Sequence, residues 1–184
     1  MKLLIVAASV RKGRAGRKVA DWFVEQVKED GRFEPELVDL KELGLSYELS
    51  ETPASGVQNS DYDDPITKAW AEKVNEADAV VFVSPEYNHG YPASLKNAVD
   101  HLYNEWNNKP AAFVGYGSAG AVYSHTAFLL VAQWVKLDMI NARVGIPEIW
   151  AAFDEQGKLM HEDYHAYEAK TALNSLAAKV EAKG

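Results

Sequence analysis

Three short stretches carry most of the residues that could do chemistry, and each follows an apolar run. Ala8 to Trp22 reads ASVRKGRAGRKVADW after Lys2–Ala7. Its glycines, Gly13 and Gly16, permit a tight turn with amides pointing inward, and Ser9 and Arg11 can add side-chain donors around it. A turn that opens a helix favours anions through its free N–H groups and the positive end of the dipole. The planar arginine fork suits phosphate oxygens. Neither a Walker nor a GxGxxG spacing is present, so the stretch reads either as a phosphate turn or as a solvated basic turn.

Ser84 to Asn97 reads SPEYNHGYPASLKN directly after Ala79–Val83. Pro85 and Pro92 stiffen the backbone, and Gly90 allows close approach. Glu86, Tyr87 and Asn88 offer backbone amides and carbonyls to the edge of a flat heterocycle, and tyrosines can pack on its face. The alternative is a proline-rich turn that only starts the next helix. The third stretch, GYGSAGAVY (Gly115 to Tyr123), could complete a pocket through Gly117 and Ser118, or its glycines could be turn punctuation. Three specialised loops make a common ligand the better reading.

The other chemistry-bearing candidates read as ordinary structure. His89 reads as a solvated loop residue and His125 as packing at a helix start. His161 and His165 have the i, i+4 spacing of a metal pair but read as a solvated face. Lys96 and Asp100 read as a local i, i+4 ion pair or an interface contact.

The elements that must position these loops follow from periodicity. Lys2–Ala8 is a continuous apolar run, the mark of a strand buried on both faces; Ala77–Val83 reads as another buried strand, and Pro110–Tyr116 and Met139–Ile146 as strands. Phe33–Leu40 reads as a shorter strand. Helical spacing is seen over Gly16–Lys28, from Pro65 to Glu76, over Pro92–Trp106, Val122–Leu137 and Tyr164–Lys183. Leu43–Tyr62 is a long loop, and Trp150–Met160 reads as a short hairpin around Gly157. Strict β-α alternation predicts an α/β fold: a flavodoxin-like, doubly wound five-stranded parallel sheet of order 2-1-3-4-5, with helices on both faces. Such sheets bind ligands beyond the carboxyl ends of strands one and three, so the first two loops are expected side by side.

Composition bounds the rest. With 184 residues, 47% hydrophobic and 25% charged, the chain suits a single domain over 1–184. A net charge of −8 argues against nucleic-acid binding. The absence of cysteine excludes disulfides, thiolate metal sites and a cysteine nucleophile. No apolar run approaches the roughly 20 residues of a membrane span, and a cytoplasmic location is expected.

SPEYNHGYPASLKNAVD together with ASVRKGRAGRKVADW resembles the NAD(P)H-dependent FMN reductase family of flavodoxin-like proteins, over Met1 to about Ile149. The resemblance implies FMN as cofactor, NADPH or NADH as donor, and a small-molecule electron acceptor such as a flavin or quinone. By the same analogy Ser9, Arg11 and the Gly16-Arg17 turn would hold the phosphate. Pro85, Glu86, Tyr87 and Asn88 would border the isoalloxazine ring, with Gly117-Ser118 near its other edge. No catalytic side chain is implied. The chain departs from the family at Pro92-Ala93, where Pro-Gly is common, and at Arg14, where serine or threonine is usual nearby. Family members form homodimers or homotetramers; the stripe Tyr91, Leu95, Val99, Leu102, Tyr103 and Trp106 offers a compatible surface, as do Trp134 and Trp150, although an apolar stripe is usually core. Two alternatives stay open: a flavodoxin-type electron carrier and a non-catalytic FMN-binding protein. A receiver domain of the same topology is disfavoured, because it needs acidic residues after strand one, where this chain is basic.

Overall fold

The computed structural model describes residues 1–183. Five parallel strands form one sheet of order β2-β1-β3-β4-β5: β1 Lys2–Ala7, β2 Glu34–Asp39, β3 Ala79–Pro85, β4 Pro110–Tyr116 and β5 Asp138–Ile146. The central strands β1, β3 and β4 are buried almost throughout, because helices cover both faces and leave no side for polar residues. The edge strands β2 and β5 are only partly covered. Register slips once between β4 and β5, where Ala111 faces Met139 but Phe113 faces Arg143.

Side chains alternate across the sheet and so build two cores. Leu3, Ile5, Val81, Val83 and Val114 meet Val19 and Phe23 of α1 (Gly16–Asp30) and Leu173 and Leu176 of α6 (Glu162–Glu181). Leu4, Val6, Val80, Phe82 and Phe113 point the other way. They meet Trp70 and Val74 of α3 (Pro65–Glu76), Leu95 and Val99 of α4 (Ala93–Asp100), and Phe128 of α5 (Val122–Trp134). The short α2 (Leu40–Leu43) follows β2 directly; Asp39 caps it, and the chain leaves through Gly44 at φ 75°. Phe33–Leu40 is thus shorter as a strand than its composition suggests.

Two elements differ from the sequence reading in kind. The helix expected over Pro92–Trp106 stops at Asp100, and a separate 3-10 turn covers Asn104–Trp106. Buried polar ties explain the break. His101 bridges Thr67 Oγ1 and the Ser46 carbonyl at 2.8 Å each. Glu105 accepts from Ser60 Oγ at 2.6 Å and Tyr62 Oη at 2.9 Å. Satisfying these groups outweighs continued helix, since an unpaired buried polar group costs more than a lost turn. They also pin the long loop that runs up to α3. Leu95, Val99, Leu102 and Trp106 are core, and Tyr91 and Tyr103 pack partly against it, so this stripe is no free surface. The hairpin expected over Trp150–Met160 reduces to one antiparallel bridge, Phe153 with Leu159.

His165 is buried, not solvated: its Nδ1 lies 3.0 Å from Glu168 and its ring meets Trp22 edge-on. Among the described residues no group of three or more metal-ligating side chains converges. Among the described residues no helix is long and apolar enough to cross a membrane.

Candidate functional site

At the carboxyl edge of the sheet the chain is stitched together between β1 and β3. Ala8 N–H donates to the Val83 carbonyl at 2.9 Å, and Ser94 Oγ donates to the Ala8 carbonyl at 2.5 Å. These bonds hold the loops after β1 and β3 side by side, where the winding direction reverses. With the loops after β4 and β5 they enclose a cavity of about 390 Å³, within the size range of small-molecule sites. Its wall brings together Ser9, Arg11, Gly13, Arg14 and Ala15 from the first loop, Pro85, Glu86 and Tyr87 from the second, and Tyr116, Gly117 and Ser118 from the third. Ile149 and Trp150 close it from the fourth.

One end of the cavity suits an anion. Helix α1 opens at Gly16 with no side-chain cap on its first-turn N–H groups, and Gly13 takes the left-handed φ of 65° that lets the loop fold over them. The arginines of this loop have separate tasks. Arg11 is exposed, with its guanidinium 4.7 Å above the centre of the Tyr87 ring, and no carboxylate partners it among the described residues. Arg14 is bound to the buried Asp39 carboxylate and also donates to the Ser9 carbonyl. Arg17 lies off the cavity wall, on the outside of α1, where its Nε is 2.8 Å from Asp21 and an Nη 3.8 Å from Asp39. Gly16 is likewise no part of the wall. Its role is close packing, because a Cβ there would collide with the Tyr116 phenol oxygen.

The other end is flat and largely apolar. Tyr87 Oη and Ser9 Oγ share a hydrogen bond of 2.7 Å, which fixes the tyrosine across the two loops. Beyond it the chain reverses in a two-residue turn: Tyr87 and Gly90 exchange N–H···O bonds of 2.8 and 3.0 Å, and Asn88 and His89 have φ of 51° and 61°. Positive φ at both central positions is the mark of a type I′ turn. It carries Asn88 to an exposed tip outside the cavity wall, and His89 outward to stack on Tyr123, with ring centres 4.2 Å apart.

Glu86 has a task that its sequence context did not reveal. Its Oε2 accepts from the Tyr123 and Ser124 N–H groups at 3.0 and 3.3 Å, capping α5, whose own cap position, Ala121, is left-handed at φ 57° and has no side-chain oxygen. Ser124 Oγ then donates to the Pro85 carbonyl at 2.9 Å, so α5 and the second loop hold each other. The fourth loop is fixed in the same way: Ile149 N–H donates to the Gly117 carbonyl at 3.2 Å and Glu148 N–H to that of Ser118 at 3.2 Å. Ile149, Trp150 and Tyr116 were not singled out from sequence as site residues. The signal for the first two was there, since Pro147 ends β5 at the same sheet edge as the other three loops.

A phosphorylated planar aromatic fits this arrangement: an uncapped helix start and a free arginine at one end, aromatic and proline surfaces at the other. A further sign is the Tyr116 oxygen, buried at the cavity and lacking a hydrogen-bond partner among the described residues. Burial pushes its phenol pKa well up, so it stays protonated at neutral pH.

The family model for NADPH-dependent FMN reductases matches residues 1–151. An NAD(P)H-dependent FMN reductase of Schizosaccharomyces pombe is 42% identical over 137 residues, covering 74% of this chain and 68% of that protein. One of Saccharomyces cerevisiae is 37% identical over 149 residues, covering 77% of this chain and 78% of that protein. The solved flavoenzyme NAD(P)H:(acceptor) oxidoreductase of Paracoccus denitrificans superposes with a TM-score of 0.70 at 22% identity, over 98% of this chain and 95% of that one, a likeness of fold. By the extent of the family match and these identities, the chain belongs to the NADPH-dependent FMN reductase family.

Proposed function

We propose that the cavity at the β1/β3 switch point holds FMN, that NADPH or NADH delivers hydride there, and that the electrons pass to a flavin, quinone or related small acceptor. The observation that carries this reading is the union, in one cavity, of an anion-suited end at α1 and a flat aromatic end at Pro85 and Tyr87. Arg11 and the first-turn amides of α1 would hold the phosphate, with Ser9 fixing Tyr87 beside them. Arg14 shapes the loop and brings little free charge, because Asp39 neutralises it. Pro85, Tyr87, Tyr116, Ile149 and Trp150 would exclude water from the ring.

When bound, FMN supplies the two-electron chemistry, and the protein supplies position and access. Among the described residues no free acid or base stands at the ring end: Glu86 is occupied with the N-terminus of α5, and His89 is stacked on Tyr123. The chain's own side chains therefore bind and orient without relaying a proton.

Homo-oligomerisation is part of the same reading. Helix α5 presents Tyr123, Leu130 and Trp134 to solvent, with Leu130 73% and Trp134 75% exposed, and such a face is costly on a lone monomer. A homodimer or homotetramer that covers it, and a cytoplasmic location, follow the family resemblance.

The test is reconstitution followed by steady-state turnover. We expect about one FMN per chain at micromolar flavin, near −8 kcal/mol, and oxidation of NADPH or NADH with a quinone acceptor. A protein that binds FMN but leaves both nicotinamides unoxidised would be an electron carrier or a non-catalytic binder. No binding of added FMN would end the reading.

A further inference from the structure

We propose that Trp150 is a specificity-determining residue, an aromatic platform at the cavity mouth that favours flat ring acceptors over oxidants without a planar face; this rests on FMN occupying the cavity. Trp150 lines the cavity and is nevertheless 73% exposed, so its indole stands at the rim, part wall and part surface. Its backbone is held firmly. Glu148 and Ile149 donate their N–H groups to the Ser118 and Gly117 carbonyls, and Ala151 N–H closes a turn onto the Glu148 carbonyl at 2.8 Å. Met160 N–H ties the carbonyl of the buried Ala152 at 2.8 Å. Glu148 takes a left-handed φ of 44° to make that turn, a conformation uncommon for a residue with a side chain. One exposed apolar ring means little by itself; the place of this one, on the rim of the candidate site, gives it a task. Of the aromatic wall residues Tyr87, Tyr116 and Trp150, only the last is exposed: Tyr87 is bonded to Ser9 and lies beneath Arg11, and Tyr116 is buried. At about 390 Å³ the cavity has room for one small molecule. With FMN inside it, the acceptor meets the protein at the mouth, where Trp150 stands. An indole there offers a broad π face, which packs on another flat ring by offset or edge-on stacking. It offers nothing comparable to a compact oxidant that has no ring.

Trp150→Ala removes the platform, and Trp150→Phe keeps an aromatic face. Both are compared with wild type as FMN-loaded protein of checked flavin content, with NADPH or NADH as donor and menadione or hexacyanoferrate(III) as acceptor. In Trp150→Ala the ratio of kcat/KM for menadione to that for hexacyanoferrate(III) should fall about tenfold, equivalent to about 1.4 kcal/mol. The fall should come mainly through the KM for menadione, and Trp150→Phe should keep most of the ratio. Equilibrium dialysis of menadione against the oxidised, FMN-loaded protein without nicotinamide makes the same comparison free of turnover, and Kd should rise about tenfold in Trp150→Ala. If the flavin-loaded wild type oxidises no nicotinamide, dialysis alone decides. An unchanged ratio or an unchanged Kd overturns the proposal. So does an equal loss with both acceptors, which would make Trp150 a wall for the flavin alone, or a loss in Trp150→Phe as large as in Trp150→Ala. A fall in mass by light scattering together with the ratio assigns Trp150 to a subunit contact instead. Failure of the wild type to bind FMN is a separate result, visible without either variant, and it ends the cofactor reading and this role together.

Discussion

Arg14 and Asp39 are locked together under the anion end of the cavity. Arg14 Nη1 lies 2.7 Å from Asp39 Oδ1, and Nη2 engages the second oxygen of the same carboxylate. Their side chains are 12% and 3% exposed, so the pair is largely withdrawn from water. Its charge is internally balanced, so of the two arginines on the cavity wall Arg11 is the one without a carboxylate partner among the described residues.

Arg11→Ala should therefore weaken FMN binding by roughly 1.5–3 kcal/mol, the range of a hydrogen bond to a charged group. The fold should persist, because Arg11 is exposed and pairs with no carboxylate among the described residues. Fluorescence titration measures the effect, and an unaltered Kd would place the phosphate elsewhere.

Asp39→Ala should act on stability. It leaves Arg14 charged, mostly withdrawn from water and without its carboxylate, a change that costs about 3–5 kcal/mol in fully buried pairs. It also removes the cap on α2, where Lys41 N–H donates to Asp39 Oδ1 at 3.0 Å. At about 2–4 °C per kcal/mol for a chain of this size, thermal unfolding should fall by roughly 10 °C. A shift within error would show that Arg14 finds solvent once released.

His125 predicts a slope in stability on the acid side of neutrality. Burial, and then the charge of Arg143, hold its pKa below the ordinary 6.5. A depressed folded-state pKa means that the unfolded chain binds the proton first, so stability is full above pH 6.5 and declines as pH falls through the folded value. Denaturant midpoints between pH 7 and 5 should fall in the wild type and stay flatter in His125→Asn. Equal slopes in the two proteins would remove His125 as the cause. Glu36 and Asp30, whose pKa values are lowered by hydrogen bonds to Lys73 and Arg32 respectively, act only lower, below the usual carboxylate range.

His89→Ala should retain bound FMN and keep kcat/KM for NADPH within about tenfold, a barrier change near 1.4 kcal/mol. The imidazole stacks on Tyr123 and lies off the cavity wall. Tyr87→Ala should lose more, because it removes a wall of the cavity and the partners of both Ser9 and Arg11. A loss near a thousandfold in His89→Ala with flavin still bound would make the histidine a proton donor.

Leu130→Glu with Trp134→Glu should convert an oligomer to monomers in light scattering, with near-native circular dichroism. Both side chains project from α5 into solvent, so the substitutions cost little within one chain. An unchanged mass would put the contact on another face.

Much of this protein follows from sequence because its signals are local. Runs such as Val80–Val83 and Ala111–Val114 lack polar residues since both faces are covered, which announces a central parallel strand without any knowledge of neighbours. Pro65 at the start of α3 is equally local. Once strand order was in place, the meeting of Ser9, Arg11, Pro85, Tyr87 and Gly117 at one edge followed from topology. What tertiary structure alone decided depends on partners distant in sequence. Arg14 lies in the loop after β1 and Asp39 ends β2, and the β1–β2 register brings them together, which leaves Arg11 as the cavity-wall arginine without a carboxylate partner among the described residues. Asn88 and Arg17 belong to the right loops but face away, because a type I′ turn and the Asp21 pairing aim them outward. Glu86 reads as a ring-edge residue until α5 arrives, 37 positions later, with uncapped amides. Helix α4 stops at Asp100 although its apolar spacing continues, because the buried His101 and Glu105 find partners at Ser46, Thr67 and Tyr62. Periodicity records which faces a segment would bury; it cannot record which distant polar group must be satisfied, and that requirement settled these positions.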